Sequence, residues 1–98
     1  MMIEIKKNAG ETVIEIVGRL DTTTAPALEK TINEDIEDTQ DLILDLKGLE
    51  YISSAGLRVL LSAQKKMLKK GAMAVKNVGA EIMDVFEITG FADILTIV

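Results

Sequence analysis

Residues 41–57 have the sequence DLILDLKGLEYISSAGL, in which an apolar strand, a loop and the start of a helix follow one another. Asp41–Leu46 is a short, nearly continuous apolar run, which is typical of a strand covered on both faces. The loop Lys47–Ser54 comes next, and leucines at helical spacing begin directly after it. Two serines, Ser53 and Ser54, therefore stand where the next helix must begin.

Downstream, the spacing of apolar residues predicts four elements. The helix extends from Ala55 to Lys70 and stops at Gly71, a residue favoured just past a helix end. It is followed by a strand at Ala72–Lys76, a helix at Ala80–Thr89 closed by Gly90, and a terminal strand at Ile94–Val98.

Upstream, two segments rich in β-branched residues, Ile3–Lys7 and Thr12–Val17, flank the turn residues 8–11 and predict a hairpin. Hydroxyl residues and a proline at Thr22–Pro26 signal the start of a helix. Apolar residues at four-residue spacing carry that helix to about Asp38. The predicted order is β-β-α-β-α-β-α-β.

This order predicts an α/β fold with a small, mixed, largely parallel β-sheet, an antiparallel edge strand and three to four helices. Sites in open sheets of this kind gather where parallel strands end. We therefore expect the loops Gly18–Thr24 and Lys47–Ser54, which follow the second and third predicted strands, to emerge at the same edge.

The composition excludes several classes of function. The chain has 98 residues, 48% of them apolar, which suits one domain spanning residues 1–98. It has neither cysteine nor histidine, which excludes disulfides, zinc sites of the Cys/His type and histidine-dependent catalysis. A net charge of −5 and a scarcity of aromatic residues argue against direct binding of nucleic acid.

Membrane insertion is not predicted either. No apolar run reaches the roughly 18 residues of a membrane span. Charged residues such as Glu4 and Lys6 interrupt the beginning of the chain, unlike the apolar region of a signal peptide. We expect a cytoplasmic protein that is not an enzyme and has no cofactor or metal of its own.

Ser53 and Ser54 have two interpretations. If Ser53 is the N-cap, Ser54 occupies the first helical position and its hydroxyl is free for modification. Alternatively, both serines do no more than start a helix, since hydroxyl caps are common. Gly56 favours the first interpretation somewhat, because glycine in a first turn costs helix propensity and leaves the backbone open to close approach.

Other charged residues are less specific. Asp21 and Asp45 flank predicted strand ends and could form a carboxylate pair for acid–base or magnesium chemistry, although Asp21 also suits the turn before the first helix. Lysines on the second helix could attract an anionic membrane surface, although a solvated helix face is the stronger interpretation. These are Lys65, Lys66, Lys69 and Lys70.

Four segments in order resemble successive signatures of the STAS domain, in its branch of bacterial anti-sigma factor antagonists. They are Gly18–Asp21, Leu42–Leu46, Tyr51–Leu57 and Phe86–Phe91. The resemblance covers essentially the whole chain. It implies that Ser54 is the phosphoacceptor serine, with Ser53 as a second, less favoured hydroxyl.

The resemblance also implies a partner and a surface. The unphosphorylated protein would bind an anti-sigma factor that is itself a serine kinase with bound ATP or ADP, and a phosphatase of the PP2C type would reset the switch. The residues expected to form the partner surface are Asp21, Thr22, Thr23, Ser53, Ser54, Gly56 and Arg58. The alternative is a STAS module that is not phosphorylated and that senses a ligand or acts as a scaffold in a transporter or signalling complex.

Overall fold

Strands and helices alternate along most of the chain. The computed structural model describes residues 1–98. Its elements are β1 (Met2–Asn8), β2 (Glu11–Leu20), α1 (Ala25–Asp35), β3 (Asp41–Asp45), β4 (Leu49–Ile52), α2 (Ser54–Leu68), β5 (Ala72–Lys76), α3 (Ala80–Thr89) and α4 (Phe91–Ile94).

The five strands form one mixed sheet. The main path through it is β1-β2-β3-β5, in which β1 is antiparallel to β2 and the other neighbours are parallel. The short strand β4 pairs with β2 in parallel. The predicted fold class, a small and largely parallel sheet with an antiparallel edge strand and helices, is confirmed.

The core lies on one face of the sheet. Leu42 and Leu44 of β3 are fully buried there among residues of α1, α2 and α3. Ile43, which points to the opposite face, is only half-buried, as are its neighbours in register, Val13 and Ala74. The prediction that this strand is covered on both faces is therefore wrong, because the helices pack against one side.

Two segments differ from the predicted elements. The predicted loop Lys47–Ser54 contains β4, and the predicted strand Ile94–Val98 is largely absent. The chain forms a further helical turn at Phe91–Ile94 instead, and only a bridge between Ile97 and Val75 remains of that strand.

Strand β2 has a different neighbour at each end. Its first half, Glu11–Glu15, pairs with β3, and its last residues, Gly18–Leu20, pair with β4. The register shifts between Gly18 and Arg19, so that Glu50 is an extra residue on β4. Such a bulge changes the direction of the strands. The late part of β2 therefore belongs to a separate corner of the molecule, where α1 and α2 begin.

Candidate functional site

Two neighbouring parallel strands end together at this corner. Leu20, the last residue of β2, is in register with Ile52, the last residue of β4. The amide of Ser53 donates a 2.9 Å hydrogen bond to the carbonyl oxygen of Leu20. The loop that starts at Asp21 and the helix that starts at Ser54 therefore leave the sheet side by side.

The two serines at the start of α2 have different surroundings. Ser53 is the N-cap, with an extended backbone (φ −97°, ψ 176°), and its Oγ accepts a hydrogen bond from the amide of Gly56 at 3.4 Å. Ser54 is the first residue of the helix, and its side chain is exposed and forms no hydrogen bond within the protein. A reagent that approaches this corner therefore meets the free hydroxyl of Ser54.

Gly56 allows α2 to begin this close to the sheet. A Cβ atom at this position would lie 2.7 Å from Cγ of Leu20 and 2.9 Å from Cγ1 of Ile52. Such distances are too short for the close-packed interior of a protein. Gly56 is buried, so it allows close packing of α2 against the sheet, whereas Ser54 remains exposed at the surface.

The carboxylate of Asp21 holds the neighbouring loop. Its Oδ1 accepts hydrogen bonds from the Thr23 hydroxyl at 2.7 Å and from the amides of Thr23 and Thr24 at 3.0 and 3.2 Å. The bond from the Thr23 hydroxyl, together with those from the amides, holds the pKa of Asp21 below its ordinary value. At neutral pH this corner therefore carries a fixed negative charge.

Thr22 and Arg58 are exposed and line a shallow depression of about 230 Å³ between the starts of α1 and α2. Ala55 forms part of the same lining, directly after Ser54. Arg58 follows Ser54 by four residues, so both side chains lie on the same side of α2. The seven residues predicted to bind a partner thus meet at one corner, with Gly56 beneath the others.

Sequence reasoning missed a contact that joins the two strand ends. Arg19 is in register with Tyr51, and its guanidinium carbon lies 4.2 Å from the centre of the tyrosine ring. The same guanidinium approaches Asp21, with Nε 3.9 Å from Oδ2. Tyr51 is 41% exposed, and an aromatic residue two positions before the pair of serines was the available signal.

Asp45 does not join Asp21. It is in register with Glu15 of β2, six residues before Asp21 along the chain, and six residues of extended strand span roughly 20 Å. Burial acts to raise the pKa of Asp45, but hydrogen bonds from Asn77 and from the amide of Lys47, with two nearby lysines, outweigh it and hold that pKa below its ordinary value. The sequence-based hypothesis of a carboxylate pair is therefore wrong.

The 98 residues contain neither a cluster of metal ligands nor a membrane-spanning helix. No group of three or more acidic side chains is placed to hold a metal ion. None of the helices combines the length and the apolar character needed to cross a membrane.

Comparison with known families identifies the fold. The sequence model of the STAS domain matches residues 2–98. The chain belongs to the STAS domain family. The predicted resemblance is confirmed, because relatives named anti-sigma factor antagonists match nearly the whole chain.

Relatives show how far the similarity extends. This STAS domain is 30% identical over 96 residues to the anti-sigma-B factor antagonist of Bacillus subtilis, an alignment that covers 97% of this chain and 88% of that protein. An anti-sigma factor antagonist from Mycobacterium paratuberculosis superposes with a TM-score of 0.89 at 27% identity, covering 98% of this chain and 83% of the other.

The antagonist SpoIIAA shares the fold at lower identity. Its unphosphorylated structure superposes with a TM-score of 0.77 at 16% identity, covering 99% of this chain and 87% of that one. The phosphorylated structure of SpoIIAA from Bacillus also gives 0.77, at 17% identity, covering 99% of this chain and 91% of that one.

Proposed function

We propose that this STAS domain is an anti-sigma factor antagonist controlled by phosphorylation of Ser54. In its unphosphorylated form it binds an anti-sigma factor that is also a serine kinase, and the sigma factor is released. Phosphate transfer from ATP on that kinase to Ser54 ends the binding, and a phosphatase of the PP2C class restores it. The switch operates in the cytoplasm, and the STAS domain contributes no catalytic group.

The observation that carries the proposal is the free, exposed hydroxyl of Ser54 beside the Asp21 loop. Ser53 is less suited to modification, because it is half-buried and its oxygen already caps the helix. Transfer of a phosphate to Ser53 requires its oxygen to release the amide of Gly56 first. Ser54 accepts a phosphate without the loss of any hydrogen bond within the protein.

The position of Ser54 predicts that phosphorylation leaves the fold intact. The first turn of a helix has unpaired amides and a partial positive charge, so a phosphate there is stabilised, by about 0.3 to 1 kcal/mol. SpoIIAA supports this point, since its two forms match this fold with the same TM-score. The change therefore acts on the surface that a partner meets.

The same phosphate weakens docking through charge. It adds about −1.5 to −2 charges near pH 7, next to the carboxylate of Asp21. Against one negative charge on the partner about 6 Å away, each added unit costs roughly 2 to 3 kcal/mol at an effective dielectric constant near 20. After screening by salt and side-chain motion, we expect the affinity to fall by roughly 10- to 100-fold.

Phosphorylation is tested with the serine-kinase anti-sigma factor of the same organism and Mg·ATP. Peptide mapping by mass spectrometry should place one phosphate on Ser54. The Ser53→Ala variant should still accept it, and the Ser54→Ala variant should not. A phosphate on Ser53 would contradict the assignment of the switch to Ser54. The absence of any phosphate would reject the switch and favour a ligand-sensing or scaffold module.

Binding to the same kinase is measured by calorimetry. Ser54→Ala should bind like the unmodified protein, and Ser54→Asp should bind roughly 10-fold or more weakly. Gln40→Glu is the matched control, because it adds one negative charge at an exposed position where β3 begins, far from the strand ends of the site. Equal affinities of Ser54→Ala and Ser54→Asp would contradict the proposal.

A further inference from the structure

Charge is distributed unevenly along this acidic chain. Residues 51–80 contain six basic residues and no acidic one, although the whole chain has a net charge of −5. This segment includes α2, and its positive charges lie mainly on the exposed side of that helix. They are Arg58, Lys65, Lys66, Lys69 and Lys70.

A groove follows the same side of α2. Three depressions lie in a row between α1 and α2, with volumes of about 230, 430 and 440 Å³. The first and second share Glu29 and Arg58, and the second and third share Lys65 and Lys66. They therefore form one continuous groove, which begins at Ala55 beside Ser54 and ends near the last turn of α2.

The walls of the groove differ in charge. The α2 wall carries the five basic residues, whereas the α1 wall contributes two acidic ones, Glu29 and Glu37. Two of the lysines cross the groove at its far end, where Lys66 donates to Oδ1 of Asn33 and Lys70 donates to the carbonyl oxygen of Ile36. The groove as a whole is therefore cationic.

Three cations of the α2 wall remain available. Arg58, Lys65 and Lys69 are exposed and form no ion pair within the chain. Leu61 is half-buried in the lining beside Arg58 and Lys65. Leu68 is 72% exposed and follows Leu61 by about two turns on the same side of α2. Lys65 follows Arg58 by seven residues, and Leu68 follows Leu61 by seven. Residues at this spacing lie on the same side of a helix and face a second helix packed alongside it.

We propose that this groove binds an acidic amphipathic helix of a partner protein. A helix laid along the 15 residues of α2 would span roughly 22 Å, or about four turns. Its apolar side chains would contact Leu61 and Leu68, and its carboxylates would meet Arg58, Lys65 and Lys69. A lipid bilayer suits the groove less well, because interfacial helices present a broad apolar face and this one offers a narrow stripe.

The inference rests on the proposed function in one respect, since it identifies the element of the anti-sigma factor that docks. Ser54 stands at the head of the groove, four residues before Arg58. A phosphate on Ser54 would attract that guanidinium, in the favoured order of anion before cation at this helical spacing. It would thereby remove one of the three free cations from the docking helix.

The groove is tested with a synthetic helical peptide of about 15 residues, in which leucines recur at three- and four-residue spacing and the remaining positions are mainly glutamate. Addition of this peptide should shift the backbone amide NMR signals of α1 and α2 that line the groove. A peptide with lysine in place of glutamate should leave them unchanged. Shifts confined to the open face of the sheet, or none, would overturn the inference.

A matched pair of variants separates the groove from overall charge. The double variant Lys65→Gln, Lys69→Gln should bind the acidic peptide roughly 10-fold more weakly. The double variant Lys6→Gln, Lys47→Gln removes the same charge from exposed positions outside the groove and should bind normally. If both double variants bound the acidic peptide equally weakly, net charge alone would explain the effect, and a specific groove would be contradicted.

Two outcomes distinguish this inference from the proposed function. If the kinase binds and phosphorylates Ser54 but its affinity is unchanged in the Lys65→Gln, Lys69→Gln variant, the groove assignment fails alone. If the acidic peptide occupies the groove but the kinase does not bind, the anti-sigma role fails alone. If the protein bound phosphatidylglycerol vesicles more strongly than the peptide, the ligand of the groove would be an anionic membrane, and the proposed acidic helix would be wrong.

Discussion

The two helices that begin at the site use their hydroxyl groups in opposite ways. At the start of α1, Oγ1 of Thr24 accepts from the amide of Asp21 at 2.8 Å and donates to the carbonyl oxygen of Arg19 at 2.9 Å. The hydroxyl of Thr23 is also engaged, with Asp21. At the start of α2, one serine caps the helix and the next, Ser54, has no partner.

The difference shows why a hydroxyl residue near a helix start is a weak signal by itself. The hydroxyls of Thr23 and Thr24 stabilise the loop before α1 through hydrogen bonds within the protein. Ser54 is one residue further into its helix than the cap, so its side chain projects to solvent. The location of the cap, rather than the type of residue, determines which hydroxyl is open to modification.

The largest effect on stability is expected where α2 approaches the sheet. Gly56→Ala places a methyl group against Leu20 and Ile52, and the overpacking should cost about 1 to 3 kcal/mol, partly offset by about 1 kcal/mol of helix propensity. Urea unfolding should give a net loss of up to about 2 kcal/mol. Gly79→Ala is the control, because no atom lies within 4 Å of the added carbon.

A smaller effect should distinguish the two serines. Ser53→Ala removes the cap of α2 and should lower the free energy of unfolding by about 1 kcal/mol. Ser54→Ala removes no hydrogen bond and should change it by less than about 0.5 kcal/mol. If the two variants were equally destabilised, the contrast between a capping and a free hydroxyl would be incorrect.

The contact between the strand ends is weaker still. Tyr51→Leu removes the ring beneath Arg19 and should cost about 0.5 to 1 kcal/mol, the usual range for an exposed cation–π contact. Tyr51→Phe keeps the ring and should retain most of that stability. If thermal unfolding showed the same loss of stability in both variants, the effect would come from the tyrosine hydroxyl rather than from the ring.

The smallest effect should appear in the titration of Asp21. Thr23→Ala removes the main hydrogen bond to the carboxylate, so the pKa of Asp21 should rise toward the ordinary value when followed by NMR. Thr22→Ala removes an exposed hydroxyl that does not touch the carboxylate and should leave the pKa unchanged.

This titration has a defined consequence for pH dependence. The folded-state pKa of Asp21 lies below that of the unfolded chain, so its stabilising contribution is complete above the ordinary pKa of aspartate, about 3.9. The contribution is lost as the pH falls from there through the folded-state value. The acid sensitivity of the loop should therefore be reduced in Thr23→Ala, and an unchanged acid profile would contradict the assigned hydrogen bond.

Long periodic segments were predictable from the sequence, whereas the arrangement of the corner was not. The helices at Ser54–Leu68 and Ala80–Thr89 follow from apolar spacing and glycine stops. Strand β4 was missed because its four residues alternate neither in polarity nor in burial: Leu49 and Ile52 are buried, and the two residues between them are exposed. Its pairing with β2 depends on a tertiary contact that periodicity does not encode.

The same reason explains the fate of two other predictions. The apolar pattern of residues 94–98 suits a strand, but Leu95 packs into the core directly after a helical turn, and pairing is left only around Val75. Asp21 and Asp45 both stand at the end of an apolar strand, but Asp45 pairs with Glu15 in the middle of β2, so the two carboxylates lie far apart. The candidate residues could be selected by resemblance, but the free hydroxyl of Ser54 required the structure.

Strand β2 changes neighbours halfway, so its two halves should differ in the free energy of local unfolding. Five residues of β2 pair with β3, whereas only three pair with β4, and the first of these three is Gly18, with a φ of +100°. Local unfolding should therefore begin in the short segment, and hydrogen exchange should be faster at the amides of Arg19 and Ser53 than at that of Ile14. The corner that carries Ser54 should then open locally while the rest of the sheet stays closed.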